Sequence, residues 1–165
     1  MGTPSGDQPD GAGLRLDDQL CFAVYAASNA IVRSYRPRLA EIGLTYPQYL
    51  VMLTLWQDGD TPVGRIATRL ELDSHAVSPL VARLEAAGLV WRERGPDRRV
   101  VLVGLTDRGR ELQAAASGVQ SAVQCDTGLS ESDLAALRGE LRALAGRLAD
   151  PVPPPTTPPG EGEVS

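Results

Sequence analysis

The stretch TPVGRIATRLELDSHAVSPLVARLEAAGLVWRERGPDRRVVLVGL, residues 61–105, decides the fold, because its hydrophobic period changes from 3.6 to 2 partway along. Thr61, Pro62 and the run to Leu70 predict a short helix, and Glu71 with Leu72 makes a brief link. Asp73 or Ser74 caps a second helix that runs to Ala87, where Gly88 stops it. Leu89–Arg94 and Arg99–Leu105 then alternate as two strands around the turn Gly95-Pro96-Asp97-Arg98. Helix, turn, helix and hairpin together predict a winged helix-turn-helix, a mainly α fold with a small β-hairpin wing. Such a unit lays its second helix in the DNA major groove, roughly 12 Å wide, while the hairpin follows the backbone or enters the next minor groove. On the second helix Ser74, His75, Ser78 and Arg83 are the candidate DNA contacts, and Val77, Leu80, Val81 and Leu84 the inner face. Arg94, Arg98 and Arg99 sit at the hairpin tip, where a narrow, electronegative minor groove attracts arginine.

Working outward, Leu16, Leu20, Val24, Ala27 and Ile31 recur at helical spacing behind Asp17 and Asp18, predicting a long first helix. It should end near Tyr35, because Pro37 disfavours helical angles at Arg36; Pro37 itself should open a short helix that Gly43 closes. Thr45 caps a third, mostly buried helix with Pro47 in its first turn, running to Gly59. Beyond the hairpin, Thr106 caps a helix toward Cys125. Ser130 with Asp133 opens a last helix whose stripe Leu134, Leu137, Leu141, Leu144 and Leu148 is too wide for a small domain to cover alone. Residues 14–149 therefore form one winged domain with helical, dimerising ends. The tails 1–13 and 150–165, rich in Gly, Pro and acids, are expected to be disordered.

Charge distribution refines this. The chain is acidic overall, at -5, yet residues 60–110 carry nine arginines against seven acids, so the single positive region is the internal stretch that holds the predicted winged helix-turn-helix. Every basic residue is Arg, which suits bidentate phosphate or guanine contacts. No apolar run reaches the roughly 18 to 20 residues of a membrane span, and the N-terminus lacks the blocks of a secretory signal, so a cytoplasmic location is expected. No phosphate loop and no clustered metal-ligand set occurs, and no metal or cofactor is expected. In a reducing compartment Cys21 and Cys125 are not a permanent staple; each is either a thiol used for chemistry or a small buried hydrophobe.

Residues 16–149 resemble the MarR family of transcription regulators. The resemblance is carried by Arg94-Gly95-Pro96-Asp97-Arg98-Arg99-Val100 followed by Leu105-Thr106-Asp107-Arg108-Gly109, where Asp97 and Arg99 match the family's paired acid and arginine. Arg98 stands where many members carry Glu. The resemblance implies a homodimer joined through its first and last two helices, bound to a pseudo-palindromic duplex operator. Leu20-Cys21-Phe22-Ala23-Val24-Tyr25-Ala26-Ala27-Ser28 and Gly43-Leu44-Thr45-Tyr46-Pro47-Gln48-Tyr49-Leu50-Val51-Met52 further resemble organic hydroperoxide resistance regulators. That likeness implies Cys21 as the peroxide-reactive thiol, Tyr35 and Tyr46 as hydrogen-bond donors to it from the partner subunit, and Tyr25 as a third tyrosine nearby. It also implies Cys125 as a resolving cysteine, which joins the partner's sensor sulfur in the two-cysteine type.

The chemistry is consistent with this reading. Only a thiolate attacks the O–O bond, and a cysteine about one turn into a helix with phenolic donors nearby has part of the stabilisation a thiolate needs. Sulfenic acid forms, and a second thiol converts it to a disulfide. Two other functions compete: a MarR-type repressor relieved by a small phenolic ligand in the dimer crevice, and a thiol peroxidase. The latter lacks a thioredoxin-like alternation of strands and helices and a Cys-x-x-Cys pair, so no enzymatic activity is expected.

Overall fold

The computed structural model describes residues 14–95, 97 and 100–149, which fall into two units, one ending at Asp126 and one beginning at Thr127. In the first unit a single 3-10 turn, Leu16–Asp18, leads into α1 (Leu20–Glu41), α2 (Tyr46–Asp58), β1 (Thr61–Pro62), α3 (Val63–Leu70), α4 (Ser74–Ala86), β2 (Val90–Arg94), β3 (Val101–Leu105) and α5 (Asp107–Asp126). The three strands form an antiparallel sheet in the order β1-β3-β2. The expected winged helix-turn-helix is thus present. The expected tails, with Pro96, Arg98 and Arg99, lie outside the described residues.

Two expectations are corrected. The first helix does not end near Tyr35: α1 continues through Pro37 to Glu41, so Pro37 opens no separate helix. A proline inside a helix forfeits one backbone hydrogen bond. Here the following turn is held by Leu39, which is fully buried, and tertiary packing outweighs the local preference. Gly43 does close a helix, but it is this long one: at φ +73° it lets Leu44 N–H reach the Leu39 carbonyl at 2.9 Å. The second correction concerns Thr61 and Pro62. They are not helical; they pair with Val103 and Leu102 as β1, a partnership across forty residues that local spacing does not reveal.

The remaining boundaries follow local chemistry. Thr45 N–H donates to Gln48 Oε1 at 2.8 Å ahead of α2, and Asp73 Oδ1 accepts from His75 N–H at 2.8 Å ahead of α4. Glu71 ends α3 in the left-handed region at φ 54°, which lets Leu72 N–H bond back to the Ala67 carbonyl at 2.9 Å. The core centres on α2, whose Tyr49, Val51, Met52 and Leu55 pack with Leu39, Ile66, Val77, Val81, Leu84 and Val103. Fully burying an Ile or Leu of this kind contributes about 1.5–3 kcal/mol.

Close approaches lock the hairpin to its flanks. Gly109 stands where any Cβ would strike the Leu89 carbonyl, and its own carbonyl accepts from Trp56 Nε1 at 2.9 Å. Thr106 Oγ1 donates to the Gly88 carbonyl at 2.7 Å, and Arg108 Nη1 to the Ala87 carbonyl at 3.1 Å, so the start of α5 grips the end of α4. In the second unit α6 (Glu131–Ala149) begins as expected, with Asp133 N–H bonding Ser130 Oγ at 3.1 Å; Leu137, Leu141 and Leu148 are exposed along it.

Candidate nucleic-acid interface and candidate sensor thiol

The helix–turn–helix places α4 with Val77, Val81 and Leu84 inward and Ser74, His75, Ser78 and Arg83 exposed. Ser74 and Ser78 line a cleft of about 550 Å3 together with Arg65 and Thr68 of α3 and Arg92 of β2. Neither His75 nor Arg83 lines it. Arg65 and Arg92 were not expected from the sequence; a basic residue on the exposed side of the first helix of the motif was the available signal. The Arg92 guanidinium pairs with Glu85, with Nε to Oε2 at 2.7 Å, and so braces β2 against α4. Ser78 Oγ donates back to the Ser74 carbonyl at 2.9 Å, which leaves its oxygen lone pairs outward as acceptors. The Asp73 carboxylate already occupies part of the α4 N-terminus, weakening the attraction for phosphate that a bare helix start would offer. On the wing, Arg94 and Asp97 are exposed, and Arg98 and Arg99 lie outside the described residues.

Cys21 is the second residue of α1, closer to the helix start than the one turn expected, and it is exposed, as is Cys125 in the last turn of α5. Neither is a buried hydrophobe. Tyr25, one turn after Cys21, is 65% exposed. Tyr35 and Tyr46 meet: their rings lie 5.4 Å apart, each half-buried. Tyr49 completes the group at 5.4 Å from Tyr35 and 6.4 Å from Tyr46, with Trp56 a further 6.4 Å beyond. Burial raises the Tyr35 pKa most, Tyr46 adds to the rise, and the neighbouring Tyr49 hydroxyl opposes it. Burial likewise raises Tyr46 and, most of all, Tyr49, where the nearness of Tyr35 adds to the rise. Tyr49 stands within the Gly43–Met52 motif, and the sequence alone assigns it no role.

Distance along α1 separates the sulfur from this cluster. Tyr35 follows Cys21 by fourteen residues of continuous helix, about 20 Å at 1.5 Å per residue. Cys125 is far from Cys21. Its neighbour Asp126 accepts from Ser34 Oγ at 2.8 Å and Arg38 Nη2 at 3.2 Å, fixing the end of α5 beside the second half of α1, away from the Cys21 end. A disulfide needs Cα atoms within about 7 Å, so the two sulfurs of one chain cannot join in this conformation. Beside Tyr46, a cleft of about 480 Å3 is lined by Val32, Arg36, Ala40, Leu44 and Pro47.

Among the described residues, no group of His, Cys, Asp and Glu could hold a metal ion, and no helix is long and apolar enough to cross a membrane. The profile of the MarR family matches residues 44–101. The chain is 48% identical over 139 residues to the HTH-type transcriptional regulator TtmR of Methylorubrum extorquens, covering 79% of this chain and 71% of that one. It is 36% identical to the organic hydroperoxide resistance transcriptional regulator of Bacillus subtilis, covering 82% and 92%. Among solved structures, AbfR of Staphylococcus epidermidis is similar at 34% identity. Reduced AbfR bound to DNA and overoxidised AbfR bound to DNA each give a TM-score of 0.69, covering 82% of this chain and 96% of that one. Disulfide-formed AbfR gives 0.59, covering 82% and 90%.

Proposed function

The chain belongs to the MarR family of DNA-binding transcriptional regulators, and from that premise we propose that it is a homodimeric repressor, of the two-cysteine organic hydroperoxide type, relieved through Cys21. The observation that carries this reading is the separation of an exposed thiol from a tyrosine cluster about 20 Å along the same helix, a gap that a second copy can close. Tyr35 and Tyr46 of one subunit then donate to the Cys21 sulfur of the other, and Tyr25 flanks it. The Cys21 thiolate attacks the outer peroxide oxygen, the O–O bond breaks, and the alkoxide leaves and takes up a proton, which gives sulfenic acid and an alcohol. Cys125 of the second copy displaces hydroxide from that sulfur, and water and an interchain disulfide result.

In the reduced state the two copies of α4 enter successive major grooves, roughly 34 Å apart, with Ser74, His75, Ser78 and Arg83 toward the bases. Arg94, Asp97, Arg98 and Arg99 of each wing serve the backbone and minor groove. Residues 14–149 act as this unit, α1, α5 and α6 supplying the dimer contacts. Because overoxidised AbfR is found bound to DNA, the bridge, more than oxygen on sulfur, is the event we expect to pull the reading helices out of spacing.

The decisive experiment is a gel shift on a duplex selected from a random library by the reduced protein. Cumene hydroperoxide releases the native protein, whereas Cys21→Ser binds and stays bound; release of that variant refutes the sensor assignment. With Cys125→Ser, mass spectrometry shows mixed disulfides or overoxidation instead of an interchain bridge. A second reading draws on the cleft beside Tyr46, whose apolar walls and Arg36 suit a small phenolic acid. Release of the reduced Cys21→Ser protein by salicylate would favour it. The relatives are named as regulators of transcription, and no enzyme family is indicated, so the peroxidase alternative finds no support there.

A further inference from the structure

We propose that Arg65, on the first helix of the helix-turn-helix, grips one backbone phosphate in each half of the bound duplex, inside the cleft that α3 forms with α4 and β2. This rests on the reading above that α4 docks in the major groove, and is independent of peroxide sensing.

The charges around this cleft are mostly spent inside the chain. Arg92, on the wing side, is neutralised by Glu85, and Arg69, one turn after Arg65 on α3, pairs with Asp58 at 3.2 Å. Arg83 and Arg94 do not line the cleft. Arg65 does line it, is exposed, and among the described residues has no carboxylate partner. Asp60 shares a neighbouring cleft with Arg65, but its carboxylate is turned onto Gly104, where any Cβ would strike it. A guanidinium left in this state keeps its full charge and its fork of N–H donors for a ligand from outside.

The hydroxyls of the cleft decide where an anion goes. Thr68 Oγ1 donates to the Gly64 carbonyl at 3.1 Å and Ser78 Oγ to the Ser74 carbonyl at 2.9 Å, so both protons are committed inward and both oxygens face outward as acceptors. Acceptors repel phosphate oxygens. The anion is therefore held by Arg65 on the α3 wall, while Ser78 on the α4 wall faces groups that donate, such as the amino groups of adenine or cytosine in the major groove. Pro62, Val63 and Val101 line part of the rest, an apolar surface on which a deoxyribose can lie. A DNA strand offers all three chemistries together, because a helix in the major groove brings the first helix of the motif across the backbone.

The test measures binding of the full-length reduced protein to its selected duplex by fluorescence anisotropy, from about 50 to about 200 mM salt. Each neutralised phosphate contributes about 0.9 to the slope of log affinity against log salt, so Arg65→Gln in a dimer makes that slope shallower by about 1.8, and its deficit narrows roughly tenfold across the range. The loss is the same factor on single-base variants of the duplex, whereas Ser78→Ala keeps the native slope and changes the ranking of those variants. Arg65→Lys, which keeps the charge, restores most of the slope. A scan with neutral methylphosphonate linkages locates the contact: one position in each half-site weakens the native protein and leaves Arg65→Gln unmoved. A native slope in Arg65→Gln, or the same methylphosphonate pattern in both proteins, overturns the proposal. A native ranking in Ser78→Ala beside a shallow slope in Arg65→Gln faults the placement of α4 on the bases and leaves the phosphate contact standing. Because Arg65 is exposed, the variant should keep the native urea midpoint. A lowered midpoint together with a native slope would make Arg65 a structural residue, and the proposal would fall.

Discussion

The reading head and the first half of α1 are opposite kinds of structure within one unit. From β1 to the start of α5 every element is tied to another: Arg92 to Glu85, Thr106 to the Gly88 carbonyl, Arg108 to the Ala87 carbonyl, Trp56 to the Gly109 carbonyl. In α1 the only buried residue is Leu39, near its end, and Leu20, Val24, Tyr25 and Ile31 stand exposed along the part that carries Cys21. The head is complete inside a single chain, whereas the sulfur-bearing half of α1 has its apolar side turned to whatever lies outside. A signal can therefore change how two heads are spaced without unfolding either, because spacing and head stability depend on different residues.

The strongest way to break that contrast is to damage the head from within. Gly109→Val drives a side chain into the Leu89 backbone, which cannot step aside as a flexible side chain would, and should cost about 3 kcal/mol of stability by urea denaturation. An unchanged midpoint would mean the head is looser than its bonds imply. On the other side, Ile31→Glu puts a charge on the exposed face of α1 and should leave the head folded, with native tryptophan emission. Sedimentation should then show monomer, and duplex affinity should fall roughly a hundredfold, the scale of losing one of two linked binding events. If that variant remains a dimer, α1 is not the joining surface.

The same contrast explains what could be seen in the sequence. Elements inside the head were legible to within a residue or two because their ends are set by local chemistry: Asp73 caps α4, Gly88 stops it, and Gly95 opens the turn between β2 and β3. Pairing of Thr61 and Pro62 with β3 was not legible, since its partners lie forty residues away. Continuation of α1 through Pro37 was missed for a related reason: the burial of Leu39 decides it, and burial is a property of the fold. At the candidate sensor, residue types and motif likeness pointed to Cys21, Tyr35 and Tyr46. Tyr49 stayed hidden because a tyrosine at a core position reads as packing until its ring neighbours are known.

A milder probe is alkaline pH, which tests whether the tyrosine cluster belongs to the closed region. Tyr35, Tyr46 and Tyr49 all have raised pKa values in the fold, against about 10 in an unfolded chain. The stability they lend is whole below about pH 10 and is lost as pH climbs through the folded values, because the unfolded state releases those protons first. Urea midpoints should therefore hold up to about pH 10 and drop as pH climbs beyond it, and drop less in Tyr49→Phe. An equal drop in both proteins would place the titration elsewhere.

The smallest effect is expected where the two regions meet. Asp126 ends α5 beside Cys125 and pairs with Arg38 at 2.8 Å and Ser34 at 2.8 Å, yet the Arg38 and Asp126 side chains are 34% and 45% exposed. Water and salt screen such a pair, so Asp126→Asn should cost less than about 1 kcal/mol, and the difference should shrink toward zero in about 1 M salt. Two further terms push it down: the amide oxygen still accepts from Ser34, and a carboxylate at a helix C-terminus opposes the helix dipole, so removing its charge returns a few tenths of a kcal/mol. A loss well above that, insensitive to salt, would show that the end of α5 is held as firmly as the head, so that the proposed disulfide at Cys125 would pull on a rigid strut instead of a loosely pinned end.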